Sequence, residues 1–268
     1  MRGGARRPRI CVIGSYVHVF TIEVPHAPED GESVIGGRSQ DGPGGKGSNQ
    51  AIQMARLGAE VDLVAAVGDD ERGRDARRLW EGEGIRTRQV RGHGTLPTGL
   101  AFITVDASGQ NRIAVDVGAN AALDAAAIED ARAEIAAADL VVAQFETPVA
   151  AVRTAFLIAR ETGTPTLLNP APPRPAGGDL LALVDVLTPN RIEATALAGL
   201  DPGAEPATAA RALRERGAGT VVVTLEAEGA LCLHGEEARR LPGLAVPVRD
   251  TTGAGDAFTG ALAVGLAS

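Results

Sequence analysis

Short apolar runs alternate with helical patterns along most of this chain, and this alternation limits its fold more than any other feature. The runs predicted as strands are residues 9–13, 60–67, 140–144, 165–169, 186–188 and 220–224. The segments predicted as helices are residues 70–82, 124–137, 148–161, 191–198 and 207–216. The pattern predicts an α/β fold, in which a mostly parallel central sheet lies between layers of helices and ligands bind at the carboxyl ends of the strands.

Two stretches, residues 21–38 and 99–115, have strand character without intervening helices. Residues 106–110 have the composition of a hairpin turn. We expect the two stretches to form a small antiparallel β lid, from segments of about 15–42 and 98–116, on a single domain that spans residues 1–268. The alternative is an edge extension of the main sheet.

The charge balance argues against a nucleic-acid partner. The formal net charge is -8, and the one basic run, residues 2–9, is short and is interpreted as a solvated tail. No apolar stretch has the length of a signal peptide or reaches the roughly 18 residues of a membrane span. Cys11 and Cys232 both lie in apolar runs, so buried free thiols and a cytoplasmic location are expected.

The first glycine-rich loop, residues 41–50, contains Lys46, the only lysine of the chain. Its G-x-G-x-x-G match does not follow the first strand, which argues against a dinucleotide site, and Gly47 after the lysine argues against a P-loop. The loop opens a helix that runs to about residue 57 and would let a small polyol approach the backbone, with Lys46 and Asn49 as donors. The alternative is an ordinary glycine turn before a helix.

The second glycine-rich loop, residues 250–258, precedes an apolar helix predicted over residues 257–266. Gly253 and Gly255 expose backbone N–H groups at a helix start, an arrangement that binds anions. Asp256 next to such a site fits a base that accepts a proton from an attacking hydroxyl. The alternative is that Asp256 is only a helix N-cap.

Residues 44–51 (GGKGSNQA) and 250–258 (DTTGAGDAF) resemble the two signatures of the ribokinase-like (PfkB-type) carbohydrate kinases. Residues 118–123, 144–148, 169–172 and 188–190 resemble ribokinases more narrowly, and the resemblance extends from Arg9 to the end of the chain. It implies a ribokinase-like fold and an ATP-dependent phosphotransferase that acts on a hydroxyl of a small sugar, with D-ribose to ribose 5-phosphate as the default reaction.

The resemblance also implies a role for individual residues. Asp256 would be the catalytic base, and the amides of Gly253, Ala254 and Gly255 would hold the transferring phosphoryl group. The implied sugar contacts are Gly45, Lys46, Gly47, Asn49, Glu146 and Asp256. The implied ATP contacts are Asn190, Thr224, Leu225, Glu226, Ala227, Glu228, Gly229 and Gly255. Glu193 would lie near Mg²⁺ without binding it directly, and Asp250 and Thr252 would help to bind a monovalent cation, typically K⁺. The resemblance also implies a homodimer formed through the lid.

The sequence departs from the family pattern in three places. Val17 and Val19 occupy positions where ribokinases usually have Asn and Asp, so the substrate is expected to be less polar there or to be held by His18 or Tyr16; the alternative is a packing role for His18. Glu226 replaces the usual glycine of the nucleotide loop. The chain ends one helix after the second signature, so we expect the C-terminal part of the family fold to be missing and an apolar face to be uncovered.

These departures keep two other functions open. The first is a nucleoside kinase of the same family, because Val17 and Val19 suit an aromatic base. The second is a non-catalytic, truncated sugar-binding relic, which Glu226 and the position of the chain end suggest. Turnover of ATP distinguishes a kinase from a relic.

Overall fold

The computed structural model describes residues 6–248 and 251–268, and its main feature is a nine-stranded sheet with the order β13-β12-β11-β10-β9-β8-β1-β4-β5. The seven strands from β11 to β5 in this order are parallel, and β12 and β13 extend the sheet antiparallel at one edge. The strands of this sheet are β1 (Arg9–Ile13), β4 (Glu60–Gly68), β5 (Arg86–His93), β8 (Leu140–Gln144), β9 (Thr166–Asn169), β10 (Val186–Leu187), β11 (Thr220–Thr224), β12 (Ala230–His234) and β13 (Glu237–Leu241).

Helices cover both faces of this sheet. The helices of the described residues are α1 (Lys46–Arg56), α2 (Glu71–Gly82), α3 (Ala125–Asp130), α4 (Arg132–Ala136), α5 (Val149–Thr162), α6 (Gly178–Leu181), α7 (Arg191–Ala198), α8 (Pro206–Glu215) and α9 (Ala254–Ala267). Residues of α1, α2 and α9 form one apolar core, and residues of α3 to α8 form the other. Along β1, Ile10 and Val12 enter the first core, whereas Cys11 and Ile13 enter the second. The predicted α/β fold is therefore confirmed.

A separate four-stranded sheet, here called the small sheet, has the order β3-β2-β6-β7. Its strands are β2 (Val17–Glu23), β3 (Ser39–Gly44), β6 (Gly99–Val105) and β7 (Asn111–Asp116). The prediction of a second sheet is confirmed, and the alternative of an edge extension is wrong. The two outer pairs are antiparallel as expected, but the central pair, β2 and β6, is parallel. The predicted hairpin joins β6 to β7, and Asp106 Oδ1 accepts hydrogen bonds from the amides of Ser108 and Gln110.

Most differences from the predicted elements lie where polar residues or glycines weaken the pattern. The predicted helix over residues 124–137 is divided into α3 and α4 at Ala131, and α9 begins three residues before its predicted start. Strands β5, β12 and β13 were not predicted. Every residue of β13 is exposed and its sequence, EARRL, has no apolar run, so nothing local distinguishes it from a loop.

Two smaller expectations concern the thiols and the membrane. Cys11 is buried as expected, and burial raises the pKa of its thiol. Cys232 is only partly buried, because it lies on β12 near the edge of the sheet. The prediction of a buried thiol is therefore wrong for Cys232. Among residues 6–248 and 251–268, no helix has both the length and the apolarity to cross a bilayer.

Candidate active site

A cleft opens at the carboxyl ends of β9, β10 and β11, where α/β sheets usually bind ligands. Two of its walls are the N-terminal turns of α7 and α9. The residues that line it are Lys46, Asn169, Ala171, Thr188, Asn190, Glu193, Thr224, Thr251, Gly253, Ala254, Gly255, Asp256 and Thr259. The two glycine-rich loops, which are about 200 residues apart in the sequence, therefore meet at one cleft.

The first glycine-rich loop packs tightly on the segment that follows β1. Gly45 is the N-cap of α1 and has a φ of 94°, which favours glycine. A Cβ atom on Gly47 would lie 2.3 Å from Gly14 Cα and 2.3 Å from the Ser15 nitrogen. The positive φ requires glycine at position 45, and the close backbone contacts require glycine at position 47. Neither requirement depends on a bound ligand.

The carboxylate of Glu146 lies at the N-terminus of α1. Its Oε2 accepts a hydrogen bond from the Lys46 amide over 2.8 Å and another from Ser15 Oγ over 2.6 Å. Ser15 Oγ in turn accepts from the Gly47 amide over 3.2 Å. A carboxylate at this position satisfies N–H groups that have no acceptor within the helix, and it interacts favourably with the helix dipole. The amides of Lys46 and Gly47 are thus already bonded within the protein.

Asp256 lies in the first turn of α9 and is only 7% exposed. Its side chain does not cap the helix, because the N-cap is Gly253; the alternative N-cap interpretation is therefore wrong. Its Oδ2 accepts a hydrogen bond from Asn49 Nδ2 over 2.9 Å, and its Oδ1 accepts one from Gln50 Nε2 over 3.0 Å. Adjacent residues of α1 therefore hold the carboxylate of α9 next to Lys46 at the cleft.

The second glycine-rich loop is open. Gly253 has a φ of 75°, and a Cβ atom on Gly253 or Gly255 would meet nothing within 4 Å. The Ala254 amide donates to the Thr251 carbonyl over 3.1 Å, so this predicted phosphoryl contact has an acceptor within the loop. Thr251 lines the cleft, and Thr252 is exposed. Asp250 was predicted to bind a cation together with Thr252, but it lies outside the described residues.

Glu193 and Asn190 form a capping box at the start of α7. Asn190 Oδ1 accepts from the Glu193 amide over 2.8 Å, and Glu193 Oε2 accepts from the Asn190 amide over 2.9 Å. Burial raises the pKa of Glu193, and the nearby charge of Asp256 acts in the same direction, while the Asn190 amide and the Lys46 ammonium oppose it. In the part of the chain that the structure describes, no group of three or more His, Cys, Asp or Glu could hold a metal.

The predicted nucleotide segment is only partly at the cleft. Thr224 lines it and pairs with Asn190 through a parallel bridge. Residues 225–229 lie beyond it: Leu225 is buried, and a short 3₁₀ helix at Glu226–Glu228 is exposed. Glu226 has a φ of 52°, the left-handed region that favours glycine, and it is the only non-glycine residue with a positive φ in the described chain. The departure from glycine noted in the sequence therefore coincides with a strained backbone position.

The two valines of β2 lie near the first glycine-rich loop. Val17 is buried, and a Cβ atom on Gly44 would lie 2.5 Å from Val19 Cγ2. His18 points to the opposite face of the strand, where its Nε2 lies 2.8 Å from Asp41 Oδ2. Tyr16 is buried edge-on against Trp80. These contacts favour packing roles for His18 and Tyr16.

Sequence reasoning missed the residues beneath Asp256. Gln50, Gln144 and Asn169 are buried and hydrogen-bonded to one another, and Gln50 binds Asp256 directly. A weak signal existed, because each of the three lies within or at the edge of a segment that resembles ribokinases. Neither their burial nor their mutual contact could be predicted from local pattern.

Comparisons with known proteins find relatives that match almost the whole chain. Residues 7–268 match the family model described as "pfkB family carbohydrate kinase". The ribokinase of Haemophilus influenzae is 36% identical over 262 residues, which cover 97% of this chain and 86% of that protein. The ribokinase of Mus musculus is 38% identical over 267 residues, which cover 96% of this chain and 81% of the mouse protein. The solved structure of Arabidopsis thaliana ribokinase complexed with ribose and ATP has a TM-score of 0.88 and 28% identity, covering 98% of this chain and 86% of that one.

Proposed function

This chain belongs to the pfkB family of carbohydrate kinases, and we propose that it transfers the terminal phosphoryl group of ATP to a hydroxyl of D-ribose, giving ribose 5-phosphate and ADP. The relatives support the substrate pair, since one is a ribokinase complexed with ribose and ATP. The observation that carries the proposal is the carboxylate of Asp256, which Asn49 and Gln50 hold at a cleft shared with Lys46 and the start of α9.

Asp256 acts as the base in this reaction. The sugar oxygen forms a bond to the γ-phosphorus, its proton passes to the Asp256 carboxylate, and ADP leaves with the electrons of the broken P–O bond. Phosphoryl transfer of this kind has a loose transition state, so the protein contributes mainly position and charge stabilisation. The N-terminus of α9 stabilises the transferring group through the helix dipole and the amides of Gly253, Ala254 and Gly255, and the Ala254 amide shares its hydrogen with the Thr251 carbonyl.

The sugar is held on the side of the first glycine-rich loop. Lys46 and Asn49 donate hydrogen bonds to its hydroxyls, Glu146 accepts one, and the backbone at Gly45 and Gly47 makes van der Waals contact with the sugar. Because the amides of Lys46 and Gly47 are bonded internally, the side chains of this loop carry the recognition. Asp256 binds the hydroxyl that it deprotonates.

The nucleotide lies on the other side of the cleft, where it contacts Asn190 and Thr224. The segment 225–229 lies beyond the cleft and is the proposed border of the adenosine part of the nucleotide. Mg²⁺ bound to the phosphates neutralises the charge that develops on them. Glu193, which lines the cleft, would orient the water shell of the ion without binding it directly. Asp250 and Thr252 remain the proposed ligands of a monovalent cation, K⁺ by family resemblance, and ATP as substrate supports a cytoplasmic location.

The test of the proposed function is a coupled assay with ATP, Mg²⁺, K⁺ and D-ribose. The wild type is expected to produce ADP and ribose 5-phosphate, and Asp256→Asn to lower kcat by about 10²- to 10⁴-fold, the usual contribution of a positioned base. Asp201→Asn is the control, because Asp201 is exposed and does not line the cleft. Wild-type protein that binds ribose without consuming ATP would instead identify the non-catalytic relic.

A nucleoside kinase is the second candidate, favoured by the apolar side chains of Val17 and Val19 beside the first glycine-rich loop. An apolar surface binds an aromatic base more favourably than it binds a sugar hydroxyl. Values of kcat/KM for ribose, 2-deoxyribose, adenosine and inosine decide between the candidates. A nucleoside with a higher kcat/KM than every free sugar would replace ribose as the substrate.

We also propose that the chain forms a homodimer through the small sheet. Phe102 is exposed on one face of this sheet, and Ile113 and Val115 are exposed on the other. Exposed apolar side chains of this kind favour a covering partner. Sedimentation velocity at micromolar concentration is expected to give twice the mass of one chain. A monomer under those conditions contradicts the dimer without affecting the kinase reaction.

A further inference from the structure

A row of three amide side chains lies beneath Asp256, where the ends of β8 and β9 meet α1. Gln144 Nε2 donates to Gln50 Oε1 over 2.6 Å, and Gln50 Nε2 donates to Asn169 Oδ1 over 3.1 Å. Asn169 Nδ2 donates to the Thr188 carbonyl over 2.7 Å. All three side chains are buried. The hydrogen bonds therefore run in one direction, from β8 to the residue that follows β10.

The backbone carbonyl at the end of this row determines that direction. A carbonyl can only accept, so Asn169 must turn its NH₂ group to Thr188 and its oxygen to Gln50. Gln50 must then present its NH₂ group, because two buried oxygens facing each other would both lack a partner. The second hydrogen of the same NH₂ group is donated to Asp256 Oδ1 over 3.0 Å. The fold therefore imposes an N–H donor on this oxygen of Asp256.

The two oxygens of Asp256 are consequently in different situations. Oδ1 faces Gln50, whose amide cannot turn without breaking the row. Oδ2 faces Asn49, which is partly exposed and whose side chain makes no other hydrogen bond within residues 6–248 and 251–268. A proton on Oδ1 weakens the buried hydrogen bond from Gln50, because a hydroxyl oxygen is a poorer acceptor than a carboxylate oxygen and the Gln50 amide cannot turn over. A proton on Oδ2 finds a new acceptor once the Asn49 amide turns over. Oδ2 is therefore the oxygen that accepts a proton at the smaller cost.

We infer that Gln50 is a positioning residue, which keeps Asp256 Oδ1 as an acceptor and leaves Oδ2 as the atom that takes the proton from the sugar hydroxyl. This rests on the proposed function, because it assigns an atom to the proton transfer described there: the O–H bond of the sugar breaks, and the proton binds Oδ2. Gln50 does not line the cleft, so it acts through Asp256 and not on the substrate.

The test compares Gln50→Met with Gln53→Met. Methionine is unbranched and similar in length to glutamine, so it fills the space and removes the polar atoms. Gln53 is the matched control, since it lies one turn further along α1 and its side chain approaches Gly260 of α9 but makes no bond to Asp256. We expect Gln50→Met to lower kcat with ribose by about 10- to 100-fold, the effect of a misplaced reacting group, with little change in the KM for ribose. Gln53→Met is expected to keep wild-type kinetics.

A kcat of Gln50→Met equal to that of Gln53→Met overturns the inference, and so does a rise in the KM for ribose that matches the fall in kcat. If Gln50→Met does not fold, Gln144→Met carries the test, because Gln144 Oε1 has no hydrogen-bond partner in the described residues and the change costs one bond. Its kcat is expected to fall by a smaller factor with the KM unchanged, because the loss of this bond loosens the Gln50 side chain, and a rise in the KM for ribose that matches any fall in kcat overturns the inference. Failure of the proposed function is distinct, since the wild type would then form no ribose phosphate.

Discussion

The two glycine-rich loops have the same local design but different surroundings. Each loop begins a helix with a glycine N-cap at positive φ, which is 94° at Gly45 and 75° at Gly253. Each helix also has a glycine at its second position, Gly47 in α1 and Gly255 in α9. In the first loop the glycines touch neighbouring backbone and a carboxylate of the protein occupies the helix N-terminus. In the second loop a Cβ atom on either glycine would meet nothing within 4 Å, so the backbone at the helix N-terminus is accessible. Similar glycine patterns can therefore serve close packing in one place and ligand access in another.

The largest difference is expected from alanine at the second helical position. In Gly47→Ala the new Cβ meets backbone atoms of Gly14 and Ser15 at 2.3 Å, so the chain must shift. We expect the free energy of unfolding to fall by about 3 kcal/mol or more, as in severe overpacking. Urea denaturation of the variant and the wild type measures this change in the free energy of unfolding. A loss below about 1 kcal/mol would show that the first loop is no more closely packed than the second.

A smaller effect is expected from the carboxylate at the first helix. Glu146→Gln replaces charged hydrogen bonds to Lys46 and Ser15 by neutral ones and removes the interaction with the helix dipole. We expect a loss of about 1 kcal/mol in the free energy of unfolding and a higher KM for ribose. Asp256→Asn is the matched control in the second loop, because its carboxylate does not cap its own helix. Equal losses of stability in both variants would contradict the comparison.

The same alanine test in the second loop is expected to give a small change of opposite sign. Gly255→Ala places its Cβ in open space, so a gain of about 0.4–1 kcal/mol is expected from reduced freedom of the unfolded chain. The proposed function puts the phosphates of ATP beside the added methyl group, so the KM for ATP is expected to rise. Thermal unfolding and steady-state kinetics measure the two effects, and a loss of stability would show that this loop is not open.

The smallest stability effect is expected at α7, the third helix whose N-terminus meets the cleft. Burial raises the pKa of Glu193, so its ionised form costs stability at neutral pH, and this cost disappears as the pH falls below the unfolded value near 4.5. Glu193→Gln keeps both capping bonds, so we expect it to be slightly more stable than the wild type at pH 7 and equal below about pH 4.5, while ATP and Mg²⁺ bind more weakly. Unfolding at several pH values checks this, and a variant less stable at pH 7 contradicts it.

The sequence predicted the parts of the molecule that local pattern specifies. Strands β1, β8 and β11 have the predicted bounds because each is an apolar run buried on both faces. Strand β13 was missed because its pairing with β12, and not its composition, makes it a strand. The start of α9 was placed late because glycines at 253 and 255 obscure the beginning of a helix.

The same contrast applies to the candidate site. The nearness of Asp256 to Asn49 was predicted, since both lie in recognisable loops that α/β topology brings to one edge. The role of Gln50 was not, because the sequence does not show which of two adjacent amides points outward and which points into the protein. That choice depends on Gln144, Asn169 and the Thr188 carbonyl, which come from distant parts of the chain.

Lys46 has a practical consequence for work with this protein. It is the only lysine in the sequence, so apart from the chain terminus the one primary amine of the folded molecule lines the cleft. An amine-reactive label will therefore report on occupancy of the cleft alone, with no background from surface lysines. Protection from acylation, followed by mass spectrometry, can rank bound sugars and nucleosides without any enzymatic readout.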